Sequence, residues 1–341
     1  MKIAVFSAQP YDIRFLDEAR SGHPSGAGLE LVYHSASLSL QSVALAQGCG
    51  AVCVFVNDVL DAPVLEALAG MGVGAVLMRC AGFNNVDVAA ARKLGLFVAR
   101  IPSYSPESVA EHTLALILTL SRHTHRAYAR IREGNFALDG LLGSTLHGKS
   151  VGLVGIGKIG LATARILNGF GCRVLGYDPM PSPEFAQLGT LVALPELLAE
   201  ADIVSLHCPL VDSTRHLIDA DALARMKPGA MLVNTSRGAL VDTAAVIDAL
   251  KARRLGALAI DVYEQESELF FQDRSADIIV DDVFQRLMTF PNVLVTGHQG
   301  FFTEVAMREI AETTMGNLAC FLAGTLCPYI VPGTAVADTE A

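Results

Sequence analysis

The sequence predicts an α/β fold of two doubly wound parallel sheets, one following the other along the chain. Three observations point there. The chain has 341 residues, enough for two domains at roughly 150 residues each. Short apolar, β-branched runs alternate with helical stretches, the pattern of parallel βαβ units. Apolar residues make up 52% and charged residues 18%, so two cores can be filled, and a disordered, collagen-like or coiled-coil chain is excluded.

In the first half the expected strands are residues 2–8, 29–34, 51–56, 75–80 and 97–101, with helical stretches such as 62–70 (APVLEALAG) and 87–95 (DVAAARKLG) between several of them. In the second half they are 150–155, 172–178, 202–208, 230–236, 257–263 and 292–297. A long helix is expected over 106–131, entered after Pro102 and Pro106. Another is expected from about Thr303 to Leu322, with Met307, Ile310 and Met315 on its apolar side. These two helices are expected to join the halves. The tail past Pro332 is expected to fray.

The charge balance, 25 Lys and Arg against 35 Asp and Glu, argues against a nucleic-acid partner, because little here would displace phosphate counterions. The longest apolar stretch, 113–120 (TLALILTL), falls far short of the roughly 20 residues of a membrane span, and the opening residues lack the apolar run of a signal peptide. Seven cysteines without paired zinc-type spacing suggest reduced thiols and therefore the cytoplasm. His123, His125, His207 and His216 show no clustering with Cys or acidic partners, so no metal site is expected.

After the strand expected at 150–155 stands Gly155-Ile156-Gly157-Lys158-Ile159-Gly160, opening a helix, and the next strand ends in Asp178. Gly155 permits a tight turn, Gly157 lets the backbone approach a pyrophosphate, and Gly160 lets the helix pack closely on the strand. The pyrophosphate would sit at the helix N-terminus. Asp178 follows at close to the roughly 20 positions expected of the carboxylate that binds the adenosine ribose hydroxyls, and it would repel a 2′-phosphate, favouring NAD over NADP. In a chain with 30 glycines the pattern alone is weak; strand before, helix after and acid at the next strand end give it weight. The first half has no such turn and is, by elimination, the substrate side.

Three more residues fall at or just after expected strand ends of the second sheet, where ligands gather in open α/β folds: Arg237, an acid at Glu264 or Glu266, and His298. Reduction of a carbonyl needs an acid for the developing alkoxide and a fixed cation for a substrate carboxylate, roles that suit His and Arg. A carboxylate on the imidazole would orient it and favour its protonated form. Taken singly, these would be a hydrogen-bonded loop histidine, a surface cation and a solvated acidic loop. Their shared location beside a dinucleotide turn is what points to a site. Spacing does not choose between Glu264 and Glu266.

The motifs RCAGFNNVD (79–87), IPSYSPESVAEH (101–112), GIGKIG (155–160), HCPL (207–210), NTSRGALVD (234–242), IDVYE (260–264) and TGHQGFF (296–302) occur in this order, and the chain resembles the D-2-hydroxyacid dehydrogenases over nearly its whole length. Within that family it is most similar to the fermentative D-lactate branch of bacteria. The resemblance implies a flavodoxin-like substrate domain, residues 1–102 plus 301–341, and a Rossmann NAD-binding domain, residues 103–300. It implies that Arg237 binds and polarises a keto acid, that His298 is the acid/base and that Glu266 is its partner. Cys80, Ala81, Gly82 and Tyr104 are implied near the substrate carboxylate. Lys158, Ile159, Asp178, Cys208, Pro209, Thr214, Thr235, Ser236 and Asp261 are implied at the cofactor, Thr214 standing where lactate-type relatives often carry Asn. The Pro that usually follows the catalytic Glu in the wider family is absent and a longer segment, 269–287, follows; both fit the lactate branch.

The implied activity is NADH-dependent reduction of pyruvate to D-lactate. Phe301, three residues after His298, is the candidate for limiting the size of the substrate side chain, and Phe270 and Phe271 are expected in the core and not in the substrate pocket. The implied assembly is a homodimer or homotetramer. Two alternatives are the same chemistry on another 2-keto acid, such as glyoxylate, hydroxypyruvate or phenylpyruvate, and an NAD(H)-sensing binding protein like the corepressors that resemble this family.

Overall fold

The computed structural model describes residues 1–266 and 269–334. The chain divides into two compact units, residues 1–105 with 302–341 and residues 106–301. The first unit begins with β1 (Lys2–Val5), α1 (Pro10–Gly22), β2 (Glu30–Tyr33), β3 (Ala51–Val54), α2 (Ala62–Gly70), β4 (Ala75–Met78), α3 (Val88–Lys93) and β5 (Phe97–Ala99). The second holds α4 (Pro106–Arg122), α5 (Thr124–Arg132), β6 (Ser150–Val154), α6 (Lys158–Gly169), β7 (Arg173–Tyr177), β8 (Thr190–Leu191), α7 (Leu194–Glu200) and β9 (Ile203–Leu206). It continues through α8 (Ala220–Arg225), β10 (Ala230–Asn234), α9 (Thr243–Lys251), β11 (Leu255–Ile260), α10 (Asp282–Met288) and β12 (Val293–Val295), and α11 (Glu304–Ala323) returns to the first unit.

The first unit carries a five-stranded sheet in the order β2-β1-β3-β4-β5, and every pairing is parallel. The order reverses between β1 and β3, the flavodoxin-like arrangement. The second carries seven parallel strands in the order β12-β11-β10-β9-β6-β7-β8, reversing between β6 and β9. Each strand expected from the sequence is found, most of them ending a few residues early; the two-residue β8 was not expected, being short and exposed.

Parallel sheets are covered on both faces, which is why their strands read as continuous apolar runs. In β3, β9 and β10 every residue is buried. On β10, Leu232 enters the core on one face while Met231 and Val233 enter that on the other, the alternation a pleated strand imposes. Asp61, Asp87, Asp219, Asp242 and Asp281 start α2, α3, α8, α9 and α10 by accepting a backbone N–H with the side chain.

The helix expected over 106–131 is two helices. His123 adopts a left-handed backbone (φ 54°) that cannot continue an α-helix, so α4 ends at Arg122 and α5 begins at Thr124. The long helix α4 packs on α6 within the second unit, and α11 packs on α1 and β4 within the first. The tail expected to fray lies, from residue 335 on, outside the described residues. Among the described residues no helix is long and apolar enough to cross a membrane, and no group of three or more His, Cys, Asp or Glu could hold a metal ion.

Candidate active site

The second unit gathers most of the residues singled out in the sequence at the carboxyl ends of its strands. Gly155 directly follows β6 with φ 98°, and a Cβ there would lie 2.5 Å from the Cys208 backbone nitrogen, so only glycine lets the loops after β6 and β9 meet at the switch point. Gly157 caps α6 with no side-chain hydrogen bond, and a Cβ on it would meet nothing within 4 Å. The first N–H groups of α6 therefore present an open, electropositive end.

Asp178 directly follows β7, over this turn. Its Oδ2 accepts from the Ile156 N–H at 2.7 Å and its Oδ1 from the Met180 N–H at 2.8 Å, which fixes the carboxylate and leaves lone pairs for further donors. A bare helix end for a pyrophosphate and an oriented acid one strand away fit a dinucleotide with free ribose hydroxyls. Lys158 and Ile159 lie in the first turn of α6, and Gly160 packs so closely that a Cβ would reach the Gly155 carbonyl oxygen at 2.3 Å.

Burial pushes the Cys208 thiol up to about 11, which leaves it un-ionised at neutral pH. The Cys208 carbonyl accepts from Ser236 Oγ at 2.6 Å, and Thr235 Oγ1 stands 2.9 Å from Thr113 Oγ1 on α4. Thr214 Oγ1 donates to the Pro209 carbonyl at 2.7 Å and accepts from the Val211 N–H at 2.8 Å, closing its own loop.

His207, between β9 and Cys208, is partly buried 3.0 Å from Ser205 Oγ, and desolvation holds its imidazole down to about 4. The unfolded chain takes up a proton here near the ordinary value of 6.5, so between about pH 6.5 and 4 it binds more protons than the folded chain. Stability should therefore fall as acid is added across that window, by about 3 kcal/mol when complete. His207→Gln is expected to reduce this fall, read as the change in urea midpoint between pH 7 and pH 5; an unaltered change would contradict it.

Arg237, Glu266 and His298 follow β10, β11 and β12, three neighbouring strands of the sheet. Arg237 donates from Nη1 to the Ser236 carbonyl at 2.7 Å, and its own carbonyl accepts from Asn234 Nδ2 at 2.8 Å. His298 Nδ1 stands 2.8 Å from Glu266 Oε1, while Glu266 Oε2 accepts from the Tyr263 N–H at 2.9 Å. The two acids that spacing could not separate have different partners, for Glu264 Oε1 lies 2.8 Å from His216 Nε2.

His298 holds a left-handed backbone (φ 55°), a costly conformation for a non-glycine residue unless its surroundings enforce it. Asp261 does so. Its Oδ1 accepts from the Gln299 N–H at 2.9 Å and its Oδ2 from the Gly300 N–H at 2.8 Å; Thr296 Oγ1 and His112 Nε2 complete its partners. Burial alone would raise the Asp261 carboxyl, but hydrogen bonds from His112, Thr296 and Gln299 outweigh it and hold the group below the usual carboxylate range.

Two aromatic rings flank the imidazole: Phe301, buried and edge-on at 6.3 Å between centroids, and Phe271 at 5.6 Å. Phe270 lies in the core as expected. Phe271 sits at the core margin with φ 63°, and that turn brings its ring to His298, a placement no spacing in the sequence marks. His112 and Thr296 were likewise not singled out; a histidine directly before the apolar run 113–120 was the available signal for the first.

In the first unit, Cys80, Ala81 and Gly82 follow β4. The Ala81 carbonyl accepts from Arg100 Nη1 at 2.7 Å and the Gly82 carbonyl from Cys80 Sγ at 3.3 Å. The N–H groups of Ala81 and Gly82 have no backbone acceptor among the described residues. Tyr104 lies just before the end of this unit's first segment.

Residues 114–300 match the family of D-isomer specific 2-hydroxyacid dehydrogenases, NAD binding domain. The chain is 60% identical to 2-hydroxyacid dehydrogenase A of Aspergillus oryzae over 328 residues, 96% of this chain and 94% of that protein. It is 58% identical to D-lactate dehydrogenase kk1H of Curvularia clavata over 318 residues, 93% and 91% of the two. Its structure matches the apo-structure of D-lactate dehydrogenase from Escherichia coli with a TM-score of 0.88 and 47% identity, covering 97% of this chain and 100% of that one. The glycine turn, the strand-end acid and the three strand-end residues of the second sheet thus sit in a known setting: the chain belongs to the D-isomer specific 2-hydroxyacid dehydrogenases, with an NAD-binding domain over residues 114–300.

Proposed function

We propose that this chain reduces pyruvate to D-lactate with NADH, reversibly, and that Arg237, Glu266 and His298 carry the reaction. The observation that carries the reading is the 2.8 Å pair between His298 Nδ1 and Glu266 Oε1, formed after the two strands that follow that of Arg237 in the sheet, in a unit that also presents the open end of α6. NADH, when bound, supplies the hydride. Arg237 offers a planar pair of donors to the carboxylate and keto oxygen. With Nδ1–H given to Glu266, His298 turns Nε2 towards the substrate and donates a proton to the oxygen that gains charge. The Glu266 carboxylate then offsets the charge on the imidazolium before that proton moves. Ala81 and Gly82, with Cys80 and Tyr104, are assigned to the substrate carboxylate, and Lys158, Ile159, Asp178, Cys208, Pro209, Thr214, Thr235, Ser236 and Asp261 to the cofactor.

The reading extends to a cytoplasmic, fermentative enzyme acting as a homodimer or homotetramer. Supporting a self-association surface, Tyr128, Ile131, Phe136, Leu138 and Leu142 of the second unit are all exposed, Leu142 at 93%.

A panel of keto acids followed by loss of NADH absorbance tests the substrate. Phe301 is expected to leave room for a methyl group and crowd longer chains, so efficiency should fall from pyruvate through 2-ketobutyrate to phenylpyruvate. NADH should be strongly preferred over NADPH, and Asp178→Ala should narrow that preference. Phenylpyruvate outperforming pyruvate, or equal efficiency with the two cofactors, would contradict the assignments of Phe301 and Asp178 respectively.

A further inference from the structure

We propose that His216 is a positioning residue for the reduction, keeping the loops of Arg237 and Glu266 in register through its hold on Glu264; the proposal rests on the functional reading above. His216 works on both loops at once. Its N–H donates to the Ala239 carbonyl at 2.8 Å, and two residues on, Ile218 N–H donates to the Leu240 carbonyl at 3.0 Å while its own carbonyl accepts from the Asp242 N–H at 3.0 Å. Residues 216–218 thereby run parallel to the turn that follows Arg237, with Ile218 opposite Val241. The imidazole points the other way, with Nε2 donating to Glu264 Oε1 at 2.8 Å, where Arg215 Nη2 adds a second donor at 3.3 Å. Glu264 is two residues from Glu266 in the turn whose Tyr263 N–H anchors the Glu266 carboxylate.

The two loops touch directly as well. A Cβ on Gly238 would lie 2.1 Å from the Tyr263 carbonyl carbon and 2.4 Å from the Glu264 nitrogen, so the peptide after Arg237 rests on the peptide leading to Glu266. The β10–β11 ladder sets the register up to the Asp261 N–H on the Asn234 carbonyl at 2.9 Å; beyond it, the His216–Glu264 hydrogen bond adds a side-chain restraint on the two loops. His216 also takes a left-handed backbone (φ 49°), a conformation that persists only where surrounding contacts fix it. At a reacting centre, displacement of about 1 Å can cost a hundredfold in rate, so such a restraint has a kinetic consequence.

The test compares the full-length protein with His216→Asn, Glu264→Ala, Glu264→Gln and the His216→Asn/Glu264→Ala double variant. Asparagine tolerates the left-handed backbone but cannot reach Glu264 as the imidazole does, so it removes the contact without adding backbone strain. His216→Asn and Glu264→Ala are each expected to lower kcat/KM for pyruvate by about ten- to a hundredfold, chiefly through a raised KM, with the dissociation constant for NADH, read by fluorescence, within about twofold of native. The double variant should be no worse than the poorer single, because both remove one interaction. Glu264→Gln keeps an acceptor oxygen in place and should stay within about threefold of native. Both single variants within twofold of native, additive losses, or losses that follow a drop in Tm with KM unchanged would overturn the proposal. Arg237→Lys and His298→Gln, run alongside, separate the two levels: activity surviving in those would defeat the functional reading itself, whereas their inactivity beside a native-like His216→Asn would defeat only the positioning role.

Discussion

His298→Gln is expected to lower turnover in pyruvate reduction by about two to four orders of magnitude while NADH binding stays within a few-fold of native. Glutamine fills much of the imidazole's space and can hydrogen-bond, but it has no proton to give. The flanking groups are built around a ring: Glu266 at 2.8 Å from Nδ1, Phe301 and Phe271 on its sides, and Asp261 holding the Gln299 and Gly300 N–H groups. Asp261, assigned to the cofactor, meets the backbone after His298 and not its ring, and none of these contacts belongs to the glycine turn after β6, so loss of the ring should leave NADH binding largely intact. Glu266→Gln should be the milder relative, since the amide still orients Nδ1 but no longer offsets the charge on the imidazolium. Comparable losses of NADH binding and turnover in His298→Gln, measured by fluorescence titration and steady-state rates, would show that the residue serves the fold and not proton transfer.

Arg237→Lys should reduce kcat/KM by about a hundredfold or more, close to 3 kcal/mol, although the charge is preserved. The guanidinium presents parallel donors to a carboxylate and a keto oxygen together; an ammonium offers a point charge and cannot hold both in plane. The Asn234 amide holds the backbone carbonyl at 237 whichever side chain follows, but the Ser236 carbonyl, which takes Nη1 at 2.7 Å, orients the plane of the guanidinium, and an ammonium has no plane to orient. Native-like efficiency in Arg237→Lys would mean that charge alone recruits the substrate.

The strands were legible because parallel sheets bury both faces, so β3, β9 and β10 read as unbroken apolar runs. The glycine turn was legible because its spacing follows from the geometry of a strand entering a helix. The break at His123 was not, since no Gly or Pro marks it and the left-handed backbone there is a tertiary effect. Glu264 and Glu266 could not be told apart by spacing because they sit in one turn two residues apart; the fold sends one to His216 and the other to His298. Phe271, His112 and Thr296 reach His298 or its Asp261 support through positions far apart in the chain, and no local pattern encodes such meetings.

Chiral analysis of the product formed from pyruvate and NADH by the native protein decides whether the chain is a D-lactate-forming reductase. D-lactate is expected, one molecule for each NADH consumed, with the same product formed more slowly by Glu266→Gln. L-lactate, or lactate formation without matching NADH oxidation, would contradict it.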